Sequence, residues 1–145
     1  MSDMAQEWQR DGHQVTVVTG MPNHPTGVVP AGYRRRLWKT ERKDGIRILR
    51  SWLYASPNQA GAKKLLGHLS FALSSCLVSG PRLGGTDAVI ISSPTFFAAF
   101  SAWLTARCRR AAFIFEVRDV WPEIFVDLGV LRPGRLLSVL QRMAR

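Results

Sequence analysis

Residues 87–117 read DAVIISSPTFFAAFSAWLTARCRRAAFIFEV, in which two short apolar runs flank a longer helical pattern. The runs at residues 87–92 and 112–117 are rich in β-branched and aromatic residues, which are typical of buried strands. The stretch at residues 94–109 is long enough to be the crossover helix that two parallel strands require. A unit of this kind predicts an α/β fold with a parallel sheet flanked by helices.

The same alternation continues on both sides of this unit. Two further strands are predicted at residues 13–19 and 45–53, and further helices at residues 3–10, 62–79 and 133–145. Gly80-Pro81 is expected to end the helix at residues 62–79. The chain is therefore predicted to be one α/β domain in which strands and helices alternate.

The predicted helix at residues 62–79 carries a continuous stripe of leucines at three- and four-residue spacings. These are Leu65, Leu66, Leu69, Leu73 and Leu77. Its apolar stretch is shorter than the roughly 20 residues that a membrane-spanning helix needs. We expect the stripe either to be buried in the core or to lie on a bilayer surface.

Composition places the chain among folded, non-exported proteins. It has 145 residues, of which 46% are hydrophobic and 21% are charged, as in a single folded domain. Its two cysteines, Cys76 and Cys108, are too few and too isolated for a disulfide framework or a CxxC site, which favours a reducing compartment. The polar N-terminal residues do not resemble a secretion signal.

Positive charge dominates the chain, with 20 Lys and Arg against 10 Asp and Glu. The stretch at residues 34–50 is strongly basic, contains Trp38 and follows Tyr33, whereas residues 116–127 carry four acidic residues and one arginine. A stretch of basic and aromatic residues can bind an anionic membrane surface or the phosphate backbone of a nucleic acid. Alternatively, it is only a solvent-exposed face without a partner. We expect membrane contact and no nucleic-acid partner.

Ligands of open parallel sheets bind beyond the carboxyl ends of the strands, so the loops there hold the candidate site. Asn23 and His24 follow the first predicted strand and suit hydroxyl recognition or proton transfer. In the alternative, non-functional interpretation, Asn23 hydrogen-bonds to its own backbone in an Asx-turn and the His24 imidazole is merely exposed. Ser93 precedes a predicted helix and either helps its free N–H groups bind a phosphate or hydroxyl, or only caps the helix.

The segment FEVRDVWPE, residues 115–123, carries the densest functional chemistry. Glu116, Arg118, Asp119 and Glu123 surround Trp121, a combination that can shift carboxylate pKa values and stack a ring. The alternative is a structural ion pair with Trp121 in the core. His, Cys and carboxylate residues do not recur at metal-ligand spacing, so no metal site is predicted.

Three stretches together resemble the N-terminal domain of family-4 glycosyltransferases that build bacterial surface polysaccharides. They are GHQVTVVTGMPNHPTG at residues 12–27, GYRRRLWKTERKDGIRILR at 32–50 and FEVRDVWPEIFVDLGVL at 115–131. The resemblance covers nearly the whole chain and implies a GT-B architecture, in which two Rossmann-like domains face a cleft. Residues 1–145 would form the N-terminal, acceptor-side domain.

The resemblance also implies a chemistry. It is retaining transfer of a hexose from a nucleotide sugar to a lipid-linked or polysaccharide acceptor, with no metal or other cofactor. The loop Asn23 to Gly27 would line the acceptor side, with Ser93 beside it. Asp119 would be the proton acceptor, because the neighbouring Arg118 stays protonated and can only donate to a phosphate or hydroxyl. Glu123 is a second candidate.

Two departures from the family pattern shape the remaining expectations. The sequence starts inside what should be the first helix, so the Rossmann-like sheet is expected to lack its first strand. It stops before the C-terminal donor domain, so the chain alone is expected to be inactive. The alternative function is a non-catalytic membrane- or glycan-binding domain with a separate donor-domain partner. With either function, the protein is expected at the inner, cytoplasmic face of the plasma membrane.

Overall fold

The computed structural model describes residues 2–57, 61–92 and 96–117. The elements are α1 (Ser2–Arg10), β1 (Thr16–Gly20), a 3-10 turn (Ala31–Tyr33), β2 (Trp38–Lys43), β3 (Ile46–Ser51), α2 (Ala62–Arg82), β4 (Ala88–Ser92), α3 (Phe96–Arg109) and β5 (Ala112–Glu116). All four predicted strands and three of the predicted helices are present, which confirms the α/β class. The helix predicted at residues 133–145 lies outside the described residues.

A three-stranded sheet has the order β1-β3-β2, with β1 parallel and β2 antiparallel to β3. Strand β2 falls in the basic stretch and was not predicted. It is joined to β3 by a two-residue turn, Asp44-Gly45, whose φ angles of 51° and 79° are both positive. Positive φ at both central residues is typical of the type I′ hairpin turn, for which Asp-Gly is a preferred sequence. The sheet is therefore mixed, not purely parallel.

The second sheet consists of β4 and β5, paired in parallel from Ala88–Ala112 to Ser92–Glu116. Helix α3 connects the two strands and packs on both of them, as the opening sequence pattern predicts. Within the described ranges, β1 and β4 each pair with one strand only. The parallel pairs β1–β3 and β4–β5 therefore belong to separate sheets within these ranges.

Helix α2 continues past the point where its end was predicted. The prediction that Gly80-Pro81 terminates it was wrong, because the helix includes Pro81 and ends at Arg82. Pro81 has no backbone N–H, so the helix lacks one i→i−4 hydrogen bond in its last turn and ends one residue later. The N–H of Leu83 then donates to the Ser79 carbonyl oxygen at 2.9 Å and closes that turn.

Small hydroxyl side chains form the contact between α2 and α3. Ser75 Oγ lies 3.1 Å from Ser101 Oγ, and Ser79 Oγ lies 3.3 Å from Thr105 Oγ1. All four residues are buried, as is Ala106, which follows Thr105 in the sequence. Small side chains let two helices approach closely, and the paired hydroxyls satisfy one another where water is excluded. This contact connects the three-stranded sheet to the two-stranded one.

The leucine stripe of α2 lies largely on the solvent side. Leu66, Leu69, Leu73 and Leu77 are between 43% and 67% exposed. Burial in the core is therefore excluded for these four residues, because the serine face of α2 occupies the helix–helix contact instead. Among the helices that the structure describes, none is long and apolar enough to cross a membrane.

Ser101→Leu should lower the free energy of unfolding by about 1–3 kcal/mol, because a larger side chain overpacks the α2–α3 contact. Ser101→Ala is the matched control and should cost less than about 1.5 kcal/mol, the value of one hydrogen bond. Urea unfolding followed by tryptophan fluorescence measures both. Equal midpoints for the two variants would contradict close packing at this contact.

Candidate functional site

An open cleft of about 440 Å³ lies at the carboxyl end of β1. Its walls come from the loop after β1, from the end of β3 and the chain beyond it, and from the first half of α2. The lining residues are Thr19, Gly20, Met21, Pro22, Asn23, His24, Arg50, Leu53, Lys64, Gly67, His68 and Phe71. The volume is within the range of small-molecule binding sites.

The loop after β1 is anchored at both ends. Met21 is buried, with 2% of its surface exposed. Its backbone N–H donates to the Ser51 carbonyl oxygen at 3.0 Å and so extends the pairing of β1 with β3. At the other end, the N–H of Gly27 donates to the Asn23 carbonyl oxygen at 2.6 Å. These two bonds fix the backbone that carries the Asn23 and His24 side chains to the cleft.

Gly27 is required by this arrangement. Its φ of +71° is in the left-handed region, and a Cβ there would collide with the Ser56 carbonyl oxygen and lie 2.7 Å from Pro57 Cα. Only glycine combines this conformation with so close a backbone approach. Gly27 does not itself line the cleft, and its role is to dock the loop on residues 56 and 57.

Helix α2 is docked on the chain that follows β3. Gly67 is buried, and a Cβ at this position would be 3.1 Å from the Tyr54 carbonyl oxygen. The N–H of Tyr54 donates to Ser70 Oγ at 2.8 Å, and the Ser74 hydroxyl donates to the Trp52 carbonyl oxygen. The serines thus satisfy backbone groups that have left the sheet. This docking places the first turns of α2 against the cleft.

Arg50 is held by two bonds that converge from different elements. Its Nε donates to Glu41 Oε2 on β2 at 2.6 Å, and its Nη1 donates to the Gly20 carbonyl oxygen at the end of β1 at 3.2 Å. Neither bond uses the third guanidinium nitrogen, Nη2. Arg50 is therefore a cation fixed in position at the wall of the cleft.

Three donors converge on the carboxylate that holds Arg50. The Tyr33 hydroxyl donates to Glu41 Oε1 at 2.6 Å, and Lys39 Nζ lies 2.9 Å from the same oxygen. Hydrogen bonds from Arg50, Tyr33 and Lys39, in order of decreasing effect, lower the pKa of Glu41 from 4.5 to about 2. Glu41 therefore stays ionised in the folded protein at neutral and mildly acidic pH.

Positive charge dominates the described lining of the cleft, which includes no carboxylate. Lys64 and His68 are both half-buried and lie four residues apart on α2, so they are neighbours on one face. Burial, and to a smaller extent the charge of Lys64, lowers the pKa of His68. Burial thus favours the neutral imidazole of His68. The cations of the described lining are Lys64 and Arg50, of which Arg50 is paired with Glu41 at 2.6 Å.

The structure brings together the two site residues predicted after the first strand, Asn23 and His24, and sets Gly27 directly beside them. The other predicted site residues lie outside the described residues, and their roles stay predictions: Ser93, Arg118, Asp119, Trp121 and Glu123. Arg50, Lys64 and His68 were not predicted as site residues. Arg50 lies near the carboxyl end of a predicted strand, where ligand-binding residues are expected, so the sequence could have indicated it as a site residue. Lys64 and His68 lie within a helix, and no motif in the sequence around them indicates a site.

Glu41→Gln should lower the free energy of unfolding at neutral pH by about 1–3 kcal/mol, because it removes charge-assisted hydrogen bonds. A lowered folded-state pKa stabilises the fold above the unfolded value of 4.5, and this contribution is lost as the pH falls through about 2. Stability should therefore fall more steeply with acid in the parent chain than in the variant. Urea unfolding across this pH range tests it, with the exposed Glu7→Gln as control, and parallel pH profiles would contradict it.

A comparison with known proteins finds a similar glycosyl transferase. Over 138 residues, the chain is 30% identical to WcaI of Escherichia coli strain K12, a protein named as a colanic acid biosynthesis glycosyl transferase. The match covers 93% of this chain and 33% of that protein, so the chain spans about one third of the length of its relative. No solved structure matches the chain.

The family comparison covers the whole sequence. Residues 1–145 match the family described as "Glycosyl transferase 4-like domain". This match confirms the resemblance that the motifs at residues 12–27, 32–50 and 115–131 indicate. The chain belongs to the glycosyl transferase 4-like domain family.

Proposed function

We propose that this chain is the acceptor-binding part of a retaining hexosyltransferase in polysaccharide biosynthesis. The observation that carries the proposal is the cleft at the carboxyl end of β1, which is lined by Asn23 and His24 in a chain of this family. The carboxyl ends of parallel strands are the usual location of ligands in such sheets. The name of the relative WcaI supports polysaccharide biosynthesis as the process.

In this function, the cleft binds the acceptor sugar. The amide of Asn23 and the imidazole of His24 hydrogen-bond to sugar hydroxyls, and Gly27 keeps both in place by docking their loop. Asp119 accepts the proton of the attacking hydroxyl, and Arg118 donates to a phosphate or hydroxyl. Ser93 and Glu123 add hydroxyl contacts, and Trp121 stacks on a sugar ring.

The donor in this proposal is a nucleotide sugar, which is a substrate, and no metal or other cofactor takes part. Transfer needs a donor-binding domain in addition to residues 1–145, so we expect this chain alone to be inactive. The acceptor is a lipid-linked sugar or a growing polysaccharide. Such acceptors place the protein at the inner, cytoplasmic face of the plasma membrane.

The exposed face of α2 supports a second candidate function, a non-catalytic domain that binds an anionic membrane or a glycan. Leu73 is 66% exposed and Leu77 is 67% exposed, which is unusual for leucines at helical spacing on a folded domain. Arg35 and Arg36 are exposed as well and can contact anionic headgroups. Under this function the chain would need a separate donor-domain partner for any transfer.

A chimera tests the transferase proposal. The aligned stretch of WcaI is replaced by that of this chain, and colanic acid is measured in Escherichia coli cells that lack their own WcaI. We expect production to be sustained and the Asp119→Asn chimera to lower it by about a hundredfold, since general-base catalysis contributes about that much. Asp127→Asn is the matched control. Full production by the Asp119→Asn chimera would reject the proton-acceptor role.

Vesicle flotation tests membrane contact. The full chain should float with phosphatidylglycerol vesicles at low salt, and the double variant Leu73→Gln, Leu77→Gln should float less, because it removes apolar surface from the exposed stripe. Leu37→Gln is the control, since Leu37 is 73% exposed but lies outside α2. Equal flotation of all three proteins would exclude the stripe as a membrane contact. Flotation together with an inactive chimera would favour the non-catalytic function.

A further inference from the structure

We propose that His68 and Phe71 of α2 complete a sugar subsite in the cleft at the end of β1, and that this subsite binds an uncharged pyranose ring of the acceptor. The ring stacks on Phe71, and one of its hydroxyls hydrogen-bonds to His68. The inference rests on the proposed function and deepens it, because it adds residues of a second element to the acceptor site and selects a neutral sugar as the ligand. Neither residue was predicted as a site residue.

Three polar side chains of the cleft are left without a hydrogen-bond partner. Asn23, His24 and His68 line the cleft, and within the described part of the chain none of their side chains takes part in a hydrogen bond or an ion pair. Amide and neutral imidazole groups both donate and accept hydrogen bonds. A sugar ring carries several hydroxyls that do the same, so one ring can pair with all three side chains.

The cations of the lining already have partners. Arg50 is ion-paired with Glu41 at 2.6 Å, and Lys64 has a partner as well. The described lining therefore holds no unpaired Lys or Arg that would need an anionic ligand. An uncharged ligand is favoured, because a charged one would lose part of its hydration without gaining a free counter-ion.

The docking of α2 places His68 at the cleft. The neighbouring Gly67 is buried, and a Cβ there would be 3.1 Å from the Tyr54 carbonyl oxygen, so the helix lies close to the chain after β3. His68 is held half-buried at the cleft, and this burial favours its neutral imidazole. One ring nitrogen of a neutral imidazole accepts a hydrogen bond and the other donates one, which suits a sugar hydroxyl.

Phe71 supplies an apolar surface beside these polar groups. It follows His68 by three residues, on the same face of α2, and lines the same cleft. A Cβ at Gly20 would collide with the Leu53 side chain and lie 3.6 Å from Phe71 Cδ2, so glycine at this position lets both side chains close over the end of β1. Small-molecule sites typically combine such an apolar wall with a few polar groups that fix the orientation of the ligand.

NMR titration of the full chain with the methyl glycosides of glucose, galactose and mannose tests the subsite. The ring signals of His68 and Phe71 should shift with one dissociation constant, whereas those of the exposed His13, which does not line the cleft, should stay in place. The anionic sugar glucuronate should bind no more tightly than the neutral glycosides. Failure of all three glycosides to bind, shifts of equal size at His13, or clearly tighter binding of glucuronate would overturn the proposal.

Substitutions test the two contacts separately. Phe71→Leu should raise the dissociation constant about fivefold, because the stacking surface is lost, whereas Phe71→Tyr keeps the ring and should bind like the parent. His68→Ala should raise it up to about tenfold, the value of one hydrogen bond. It gives an independent answer if urea unfolding shows that Phe71→Leu does not fold.

Phe100→Leu is the matched control for Phe71→Leu, because Phe100 is 62% exposed on α3 and does not line the cleft. His13→Ala is the control for His68→Ala. Glycoside binding that His68→Ala and Phe71→Leu weaken no more than their controls do would overturn the subsite.

The WcaI chimera separates failure of this inference from failure of the proposed function. An inactive chimera, with glycoside binding by this chain that still depends on His68 and Phe71, rejects the transferase function and supports the subsite. An active chimera that His68→Ala and Phe71→Leu leave unaffected rejects the subsite alone. Lower colanic acid production in both variants, with Phe100→Leu unchanged, supports the two proposals together.

Discussion

Close packing of α2 against its neighbours is the constraint on which the rest of the structure depends. Within the described residues no strand joins β1 to β4, so the buried serine and threonine hydroxyls between α2 and α3 connect the two sheets. On another side, Gly67 and Ser70 seat the same helix on the chain after β3. Each contact needs a small side chain, because a larger one would move the helix. The serines in the apolar stretch of α2 are therefore packing residues, and they explain why its leucines face solvent.

A second set of contacts connects the basic stretch to the candidate site. The carboxylate of Glu41 on β2 accepts hydrogen bonds from Tyr33, Lys39 and Arg50. Arg50 in turn donates a hydrogen bond to the last carbonyl oxygen of β1. The stretch is thus not only a solvated face, since part of its charge is used inside the hairpin. The hairpin also binds a cation from another element: the guanidinium carbon of Arg82, at the end of α2, lies 4.0 Å from the centre of the Trp38 ring. Cation–π contact of this kind helps to hold the end of α2 against the hairpin.

Local sequence signals account for much of the fold. The apolar runs that became β4 and β5 are strands because β-branched and aromatic residues favour extended backbone, and the predicted crossover helix lies between them, although all five residues of β5 are exposed rather than buried. Strand β2 was missed because WKTERK is mostly charged, although the Asp44-Gly45 turn was a usable signal. The end of α2 was misplaced because the backbone hydrogen bond that Pro81 cannot make ends the helix only after Arg82, and not at Gly80.

The sequence by itself determined the family, the order of all described strands and helices except β2, and the loop that carries Asn23 and His24, because each depends on residues that are neighbours in the chain. Only the tertiary structure decided which other side chains share the cleft with that loop. Arg50, Lys64 and His68 reach it through the pairing of β1 with β3 and the docking of α2 on the chain beyond β3. These contacts join distant parts of the chain, and they arise from backbone hydrogen bonding and close packing, which leave no pattern in any one segment.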